Sequence, residues 1–424
     1  LNEFSWLFVV FVAFGLAMRA WLARRQVAHV ALNRDLVPPA FAAEVPLASH
    51  RKAADYTVER TRFALLEAFA LEGALVLFIT LGGALAAIDA ASGRLFGDGH
   101  LRSLATLFTL MAVGALAALP FDLYRTFSIE SRFGFNRSTA ALFWGDFAKG
   151  VALAVALGGP LAWLVLWFID SAGRWWWLYT WFAWIAFTLA LVAVFPKYIA
   201  PLFNRFTPLP DGEVRTRIER LLERCGFRAE GLFVMDGSKR SSHGNAYFTG
   251  FGRAKRIVFF DTLVERLTPG EVEAVLAHEL GHYARGHIWR MLAVRFALAL
   301  VLLALLGWAI DKPWFHQGLG LASPHAGAAL ALFFIAVPVF TFPFQPLASW
   351  LSRRHEFEAD EFAASRARGE DLEHALVKLY RDNASTLTPD PLHSLVYDSH
   401  PPAALRIAHL RAAGRVDSAR AQPA

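Results

Sequence analysis

The sequence is nearly without cysteine: Cys225 is its only one in 424 residues. A single thiol excludes an internal disulfide and any metal site built from several cysteines. A bound metal would therefore have to be held by His, Asp or Glu. Charge is scarce as well, at 18% of residues against a hydrophobic share of 56%. That balance excludes the two or three soluble domains that the length alone would allow. The net charge of +6 comes without any aromatic-interleaved basic module, so it does not read as a nucleic-acid footprint. Internal repeats are missing, and alanine bias is the only low-complexity feature.

What the chain does have is long apolar runs. A helix of about 20 apolar residues crosses the roughly 30 Å hydrocarbon core. Seven candidates stand near 4–23, 65–89, 101–120, 150–170, 175–199, 289–311 and 327–350. The fourteen tryptophans fit this reading, because indole favours the bilayer interface. The first run, Phe4 to Leu22, is too long and bulky for a signal peptide and lacks a small-residue cleavage site, so it reads as a span.

Basic residues alternate between loops. The first loop carries Arg24, Arg25, Arg34, Arg51, Lys52, Arg60 and Arg62, and the third Arg125, Arg132, Arg137 and Lys149. The second has only Arg94 and Arg102, the fourth Arg174 and the sixth Lys312. The positive-inside rule then predicts an outside N-terminus with a cytoplasmic insert and tail. The expected organisation is membrane helices one to five over 1–199, a small α+β insert over 200–288, helices six and seven over 289–350, and a helical tail over 351–424. Glu67 and Glu72 fall in or beside the second run, where a carboxylate is costly unless it faces water or a partner. Either that span begins nearer Gly73 or the two face an aqueous interior.

Within the insert, Gly212–Cys225 reads as an amphipathic helix, and GLFVMDG, NAYFTGF and RIVFFDTLV read as short strands. Thr268-Pro269-Gly270-Glu271 then has the pattern of a capping box with proline at the first helical position. The helix it opens carries AVLAHELGHYARGH. Residues four apart share a helical face, so His278 and His282 can converge on one ion. Glu279 reaches water held at that ion rather than the ion itself, the arrangement of a metallopeptidase general base.

A third ligand is needed, and RRHEFEADEFAASRA after the last apolar run offers one. Glu356 would complete a two-His, one-Glu set with a position left open for water. Asp360, one turn on, would accept the other ring N–H of a ligating histidine. Taken alone, these carboxylates also read as a solvated acidic face, and His355 competes as the ligand from the same turn. His287, five residues beyond His282, is rotated off the ligand face of a continuous helix and is not assigned to the metal.

Together, His278-Glu279-x-x-His282 and the distant Glu356-x-x-x-Asp360 resemble the integral-membrane gluzincin proteases, and most of all the CAAX prenyl protease type I family. HELGHYARGH, RSSHGNAYFTGF, IESRFGFNR and the Ser399-His400-Pro401-Pro402 block with Arg406 match that family's segments in order. The resemblance implies an α-helical polytopic membrane protein with seven helices around an intramembrane chamber. It implies one Zn2+ per chain on His278, His282 and Glu356, with Glu279 as base. Asn245 and Ala246 lie where the family holds substrate backbone as an added strand. His400 and Arg406 lie where it places groups facing the transition state.

The function expected is a membrane-embedded zinc endopeptidase. Its substrates would be prenylated CAAX-type C-termini or hydrophobic and misfolded membrane proteins, the latter suited to a bacterium. The Ala-, Leu- and Arg-rich composition points to a GC-rich bacterial genome, hence to an inner membrane with a cytoplasmic active site, or to the ER membrane in a eukaryote. Expected partners are a peptide or protein substrate, lipidated or not, and the bilayer. No nucleic-acid partner is expected, and the chain would act as a monomer. The alternative is a metal-binding transporter or receptor without proteolysis, which would carry more ionisable groups inside its spans and a half-to-half repeat.

Overall fold

The computed structural model describes residues 1–249, 255–322 and 325–420, with backbone alone over 413–420. Among these, six helices are long and apolar enough to cross a membrane: Glu3–Leu32, His100–Glu130, Ala140–Ser171, Gly173–Leu202, His287–Ala309 and Ala326–Arg366. A bent pair, Leu47–Ile79 and Ala84–Phe96, makes a seventh with a 55° turn at its break. The chain is an α-helical polytopic membrane protein with a small sheet in its insert.

Three spans differ from their expected form. The second is broken rather than straight, and its segment Ala68–Leu75 is wound as a π-helix, a form that single-sequence periodicity does not reveal. The first helix runs on to Leu32, well past its apolar stretch. Its extension docks on the tail: Arg25 pairs with Asp390 at 2.9 Å, and Gln26 Oε1 accepts from the Asp390 backbone N–H at 2.7 Å. The last span does not hand over to a separate tail. Ala326–Thr341, a short turn at Phe342–Phe344 and Gln345–Arg366 form one helical run, so Glu356 rides on an extension of a membrane helix.

Glu67 and Glu72 are both answered by arginines, Glu67 by Arg125 and Glu72 by Arg19. Glu72 and both arginines line an open cavity of about 760 Å³ between the helices, which extends to Tyr380, His400 and Pro402. Glu72 therefore faces a polar interior, the second of the two arrangements expected from sequence, and Glu67 is held by an arginine that lines the same cavity.

The insert's sheet has the order β1-β2-β4-β3, with β1 Phe206–Pro208, β2 Gly231–Met235, β3 Ala246–Thr249 and β4 Arg256–Phe260. β2 and β4 are parallel, and the outer pairings are antiparallel. Two details depart from the sequence reading. β1 was not foreseen, and Asp261–Arg266 is a short helix rather than the continuation of β4. Gly250 and Phe251, the end of NAYFTGF, lie outside the described residues, as do the last four of the tail. β3 is an edge strand, so one rim of its backbone is unpaired within the sheet.

The sheet packs on the helix Pro269–Ala284, whose start is fixed as its sequence predicts. Thr268 Oγ1 accepts from Glu271 N–H at 3.4 Å, and the Glu271 carboxylate accepts from Thr268 N–H at 2.8 Å. The apolar side of that helix, Val272, Leu276 and Leu280, joins Ile218, Leu221, Phe259 and Leu376 in the core of the insert. Its opposite side meets the long C-terminal run at Gly281. A Cβ there would lie 2.9 Å from Ala359 Cα and 3.0 Å from the Ala359 carbonyl oxygen. Only glycine lets the two helices approach so closely.

Candidate metal centre

The close approach at Gly281 brings His278 and His282 against Glu356. The two Nε2 atoms are 3.2 Å apart, and Glu356 Oε2 and Oε1 lie 3.4 and 3.3 Å from them respectively. Tetrahedral Zn with bonds of about 2.0–2.1 Å would separate its donors by about 3.3–3.4 Å. All three distances lie close to that spacing, with each histidine facing a different oxygen of the Glu356 carboxylate. Glu356 Oε2 is buried and has no hydrogen-bond donor, an arrangement that a cation would satisfy. These donors form the group suited to a metal among the described residues. His355, the competing ligand in the sequence, is turned away and stacks on His287 with ring centroids 4.1 Å apart.

Behind the donors sits a buried brace. His278 Nδ1–H donates to Asp360 Oδ1 at 2.9 Å, which leaves Nε2 as the lone-pair donor. Arg406 grips the same carboxylate from the other side, through Nε at 2.9 Å and Nη2 at 2.6 Å. Asp360 is fully buried and Arg406 nearly so, and a charge pair at that depth needs this bidentate geometry. Arg406 Nη1 is left facing Glu356 Oε2 at 3.7 Å. Burial disfavours a charged His278, but Asp360 and Glu356 outweigh it and raise the ring's pKa to about 9.

Glu279 is half-buried, and burial raises its pKa, partly offset by the neighbouring His278 and His282. His400 lies beside the set, its Nε2 3.4 Å from Glu356 Oε1 and its Nδ1 3.0 Å from Ser399 Oγ. Asn245 and Ala246 make no hydrogen bond to the donors among the described residues, although Ala246 joins the core that backs the donor helix. Asn245 immediately precedes β3, its carbonyl accepts from Phe260 N–H at 2.9 Å, and its side chain accepts from Ala246 N–H at 2.8 Å.

Sequence reasoning missed two groups. One is the brace that holds the loop before β3: Tyr56 donates to Glu130 at 2.6 Å, Glu130 faces His243 Nε2 at 3.6 Å, and Asn383 Oδ1 accepts from Gly244 N–H at 3.1 Å. Its signal was present, since Glu130 and His243 fall in two of the matching blocks. The other is His287 with Glu358, which helical spacing had set aside.

Residues 26–205 match the family described as CAAX prenyl protease N-terminal, five membrane helices, and residues 208–413 match peptidase family M48. A CAAX prenyl protease 1 homolog of Arabidopsis thaliana is 35% identical, over 89% of this chain and 91% of the relative. The chain belongs to the CAAX prenyl protease family of M48 peptidases. The Homo sapiens homolog of this M48 family is 31% identical, over 96% of this chain and 94% of its own. The crystal structure of S. mikatae Ste24p superposes with a TM-score of 0.89 at 30% identity, covering 97% of this chain and 99% of that one. Membership makes the chain a metalloprotease and disposes of the transporter reading. It also gives the His278–His282–Glu356 cluster a chemical context, because M48 enzymes are metallopeptidases.

Proposed function

We propose that this M48 peptidase is a membrane-embedded zinc endopeptidase that cuts near the C-terminus of its substrates, with His278, His282 and Glu356 as ligands. The observation that carries the reading is the convergence of the two Nε2 atoms and the Glu356 carboxylate at separations that one zinc ion can bridge. When bound, zinc supplies a Lewis acid for the scissile carbonyl and lowers the pKa of water. Glu279, next to a ligand and without a hydrogen-bond or ion-pair partner among the described residues, takes the proton from the attacking water and returns it to the leaving amine. His400 Nε2 donates to the developing oxyanion, an interaction worth about 2.7–4 kcal/mol for a well-placed donor. Arg406 orients Asp360 and, through Nη1, adds positive potential beside Glu356. Asn245 and Ala246 open the edge strand on which extended substrate backbone would lie, the usual mode for a peptide added to a free sheet edge.

The cavity beside His400 supports a C-terminal cut. Of the arginines lining it, Arg19 and Arg125 are paired with carboxylates, whereas Arg60 has no ion pair among the described residues and lies against Tyr56, with its Nη1 3.4 Å from Tyr56 Oη. A peptide's free α-carboxylate suits that guanidinium. Several relatives are named CAAX prenyl proteases, and a prenylated CAAX peptide is accordingly the first substrate to try. The basic loops support a cytoplasmic site and an outside N-terminus in the host's membrane, and the chain acts as a monomer. The test compares cleavage of a prenylated CAAX peptide with that of its unprenylated form, with Glu279→Ala as control. Preferential cleavage of the prenylated peptide, abolished in the variant, is expected. Equal rates would remove prenylation from the reading, and cleavage surviving Glu279→Ala would remove the mechanism.

A further inference from the structure

His287 is out of reach of His282 on any continuous helix, because five residues carry it about 140° around the axis at 3.6 residues per turn. The chain is not continuous there. Helix Pro269–Ala284 ends, Gly286 takes a left-handed φ of 70°, and a new helix starts at His287. This turn folds the His287 ring back beneath His282, where it is almost fully buried. His282 Nδ1 and His287 Nδ1 are 3.0 Å apart, and His287 Nε2 lies 3.0 Å from Glu358 Oε2. The stacked ring of His355 holds His287 from one side, and Arg290 Nη1 holds Glu358 Oε2 at 3.4 Å.

Chemistry fixes the direction of these hydrogen bonds. His282 turns Nε2 toward His278 and Glu356, so as a neutral ligand it carries its proton on Nδ1. That N–H can only donate to His287 Nδ1, which must then be unprotonated. The proton of His287 therefore sits on Nε2 and donates to Glu358. The two ligand histidines are thus braced in different ways: His278 meets Asp360 directly, whereas His282 would reach a carboxylate through a second imidazole.

We propose that His287 and Glu358 are positioning residues for the metal, a hydrogen-bonded relay that fixes the tautomer and ring plane of His282 and strengthens its Nε2 as a donor. The inference rests on the zinc-site reading. Groups behind a metal's ligands typically change its affinity by about 10–100-fold when removed. The relay explains why histidine stands at 287, directly after a glycine that can make the turn. It also explains why Glu358, on the same helix as Glu356 but on a different face, is aimed at a histidine that touches no metal.

The test is zinc affinity of the full-length protein in detergent, measured by chelator competition, alongside thermal unfolding of the metal-free form. His287→Leu keeps bulk but offers no acceptor, and should weaken zinc about 10–100-fold. His287→Asn can set its Oδ1 near the place of Nδ1 and should recover most of that loss. Glu358→Gln, which keeps an acceptor but removes the charge, should fall between wild type and His287→Leu. Wild-type affinity in His287→Leu would overturn the relay while leaving the zinc site standing. Equal losses in His287→Leu and His287→Asn would also overturn it, since packing alone would then account for the effect. Should His287→Leu fail to fold, His287→Asn and Glu358→Gln carry the comparison, and wild-type affinity in Glu358→Gln refutes the relay. No zinc binding by the wild type would refute the zinc reading and the relay with it.

Discussion

Gly281→Ala is the most searching single perturbation of the donor set. The added carbon would meet Ala359 Cα at 2.9 Å, the Ala359 oxygen at 3.0 Å and Phe362 Cβ at 3.1 Å. Comfortable carbon–carbon contact is about 3.5–4.0 Å, so the two helices must part by roughly half an ångström or more. Two of the three contacts are backbone atoms, which cannot rotate out of the way. Glu356 lies one turn before this contact, and His278 and His282 flank it on the facing helix. Metal–ligand distances hold within about 0.2 Å, so the parting exceeds what a bound ion tolerates. Closing the helices again around zinc would cost the overpacking strain of about 1–3 kcal/mol, which corresponds to about 5- to 150-fold weaker binding. Helix propensity pulls the other way by about 1 kcal/mol, so the metal-free fold should lose little stability. Chelator competition on purified wild type and variant measures the first effect, and thermal unfolding of the metal-free forms the second. Unchanged zinc affinity would refute the claim that the glycine sets the distance between the donor-bearing helices.

Three further outcomes are expected. Glu279→Ala should lower peptide cleavage by about 10²–10⁴-fold while zinc content stays near one per chain; loss of zinc would make Glu279 a ligand instead. In the metal-free protein His278 keeps its proton up to about pH 9, and zinc requires that site unprotonated. Apparent zinc affinity should therefore fall by up to about tenfold per pH unit as pH drops below about 9, with a proton released on uptake, and a flat profile would refute the shift. The same shift contributes stability to the metal-free fold in full below the unperturbed value of 6.5, lost as pH rises through about 9. Arg60→Gln should raise KM for a peptide with a free C-terminus and leave that for its C-terminal amide unchanged; equal effects on both would remove the carboxylate contact.

Much of the site could be read from the sequence because its signals are local. Thr268 to Glu271 specify a helix start within four residues, and HELGH needs only the helical repeat to put two imidazoles on one face. The apolar runs were equally direct, because a hydrocarbon solvent imposes a length that composition reports. What escaped depended on breaks in regular structure. The periodicity that makes His278 and His282 neighbours also argues that His287 points away, and the left-handed turn at Gly286 reverses that argument. The bend after Ile79 and the π-wound stretch before it leave no periodic trace either. Asp261–Arg266 reads as strand because Val264 and Leu263 are as apolar as a strand's residues, whereas the Asp261 carboxylate accepts from Thr262 N–H and Ser238 N–H where the helix begins. The partners of Glu67 and Glu72 could not be named in advance, since Arg125 and Arg19 come from separate helices.

The donor set also has an order in time. His278 and His282 precede the last two membrane spans in the chain, whereas Glu356 and Asp360 lie near the C-terminal end of the final one and His400 and Arg406 beyond it. Asp390, which ties the C-terminal region to Arg25 and Gln26 of the first helix, is made between Asp360 and His400. During synthesis the histidines therefore emerge without their third ligand, and hydrolytic competence has to wait until every membrane helix has been made. On the proposed zinc-site reading, the protease is in this way inert while its own spans are still threading into the bilayer.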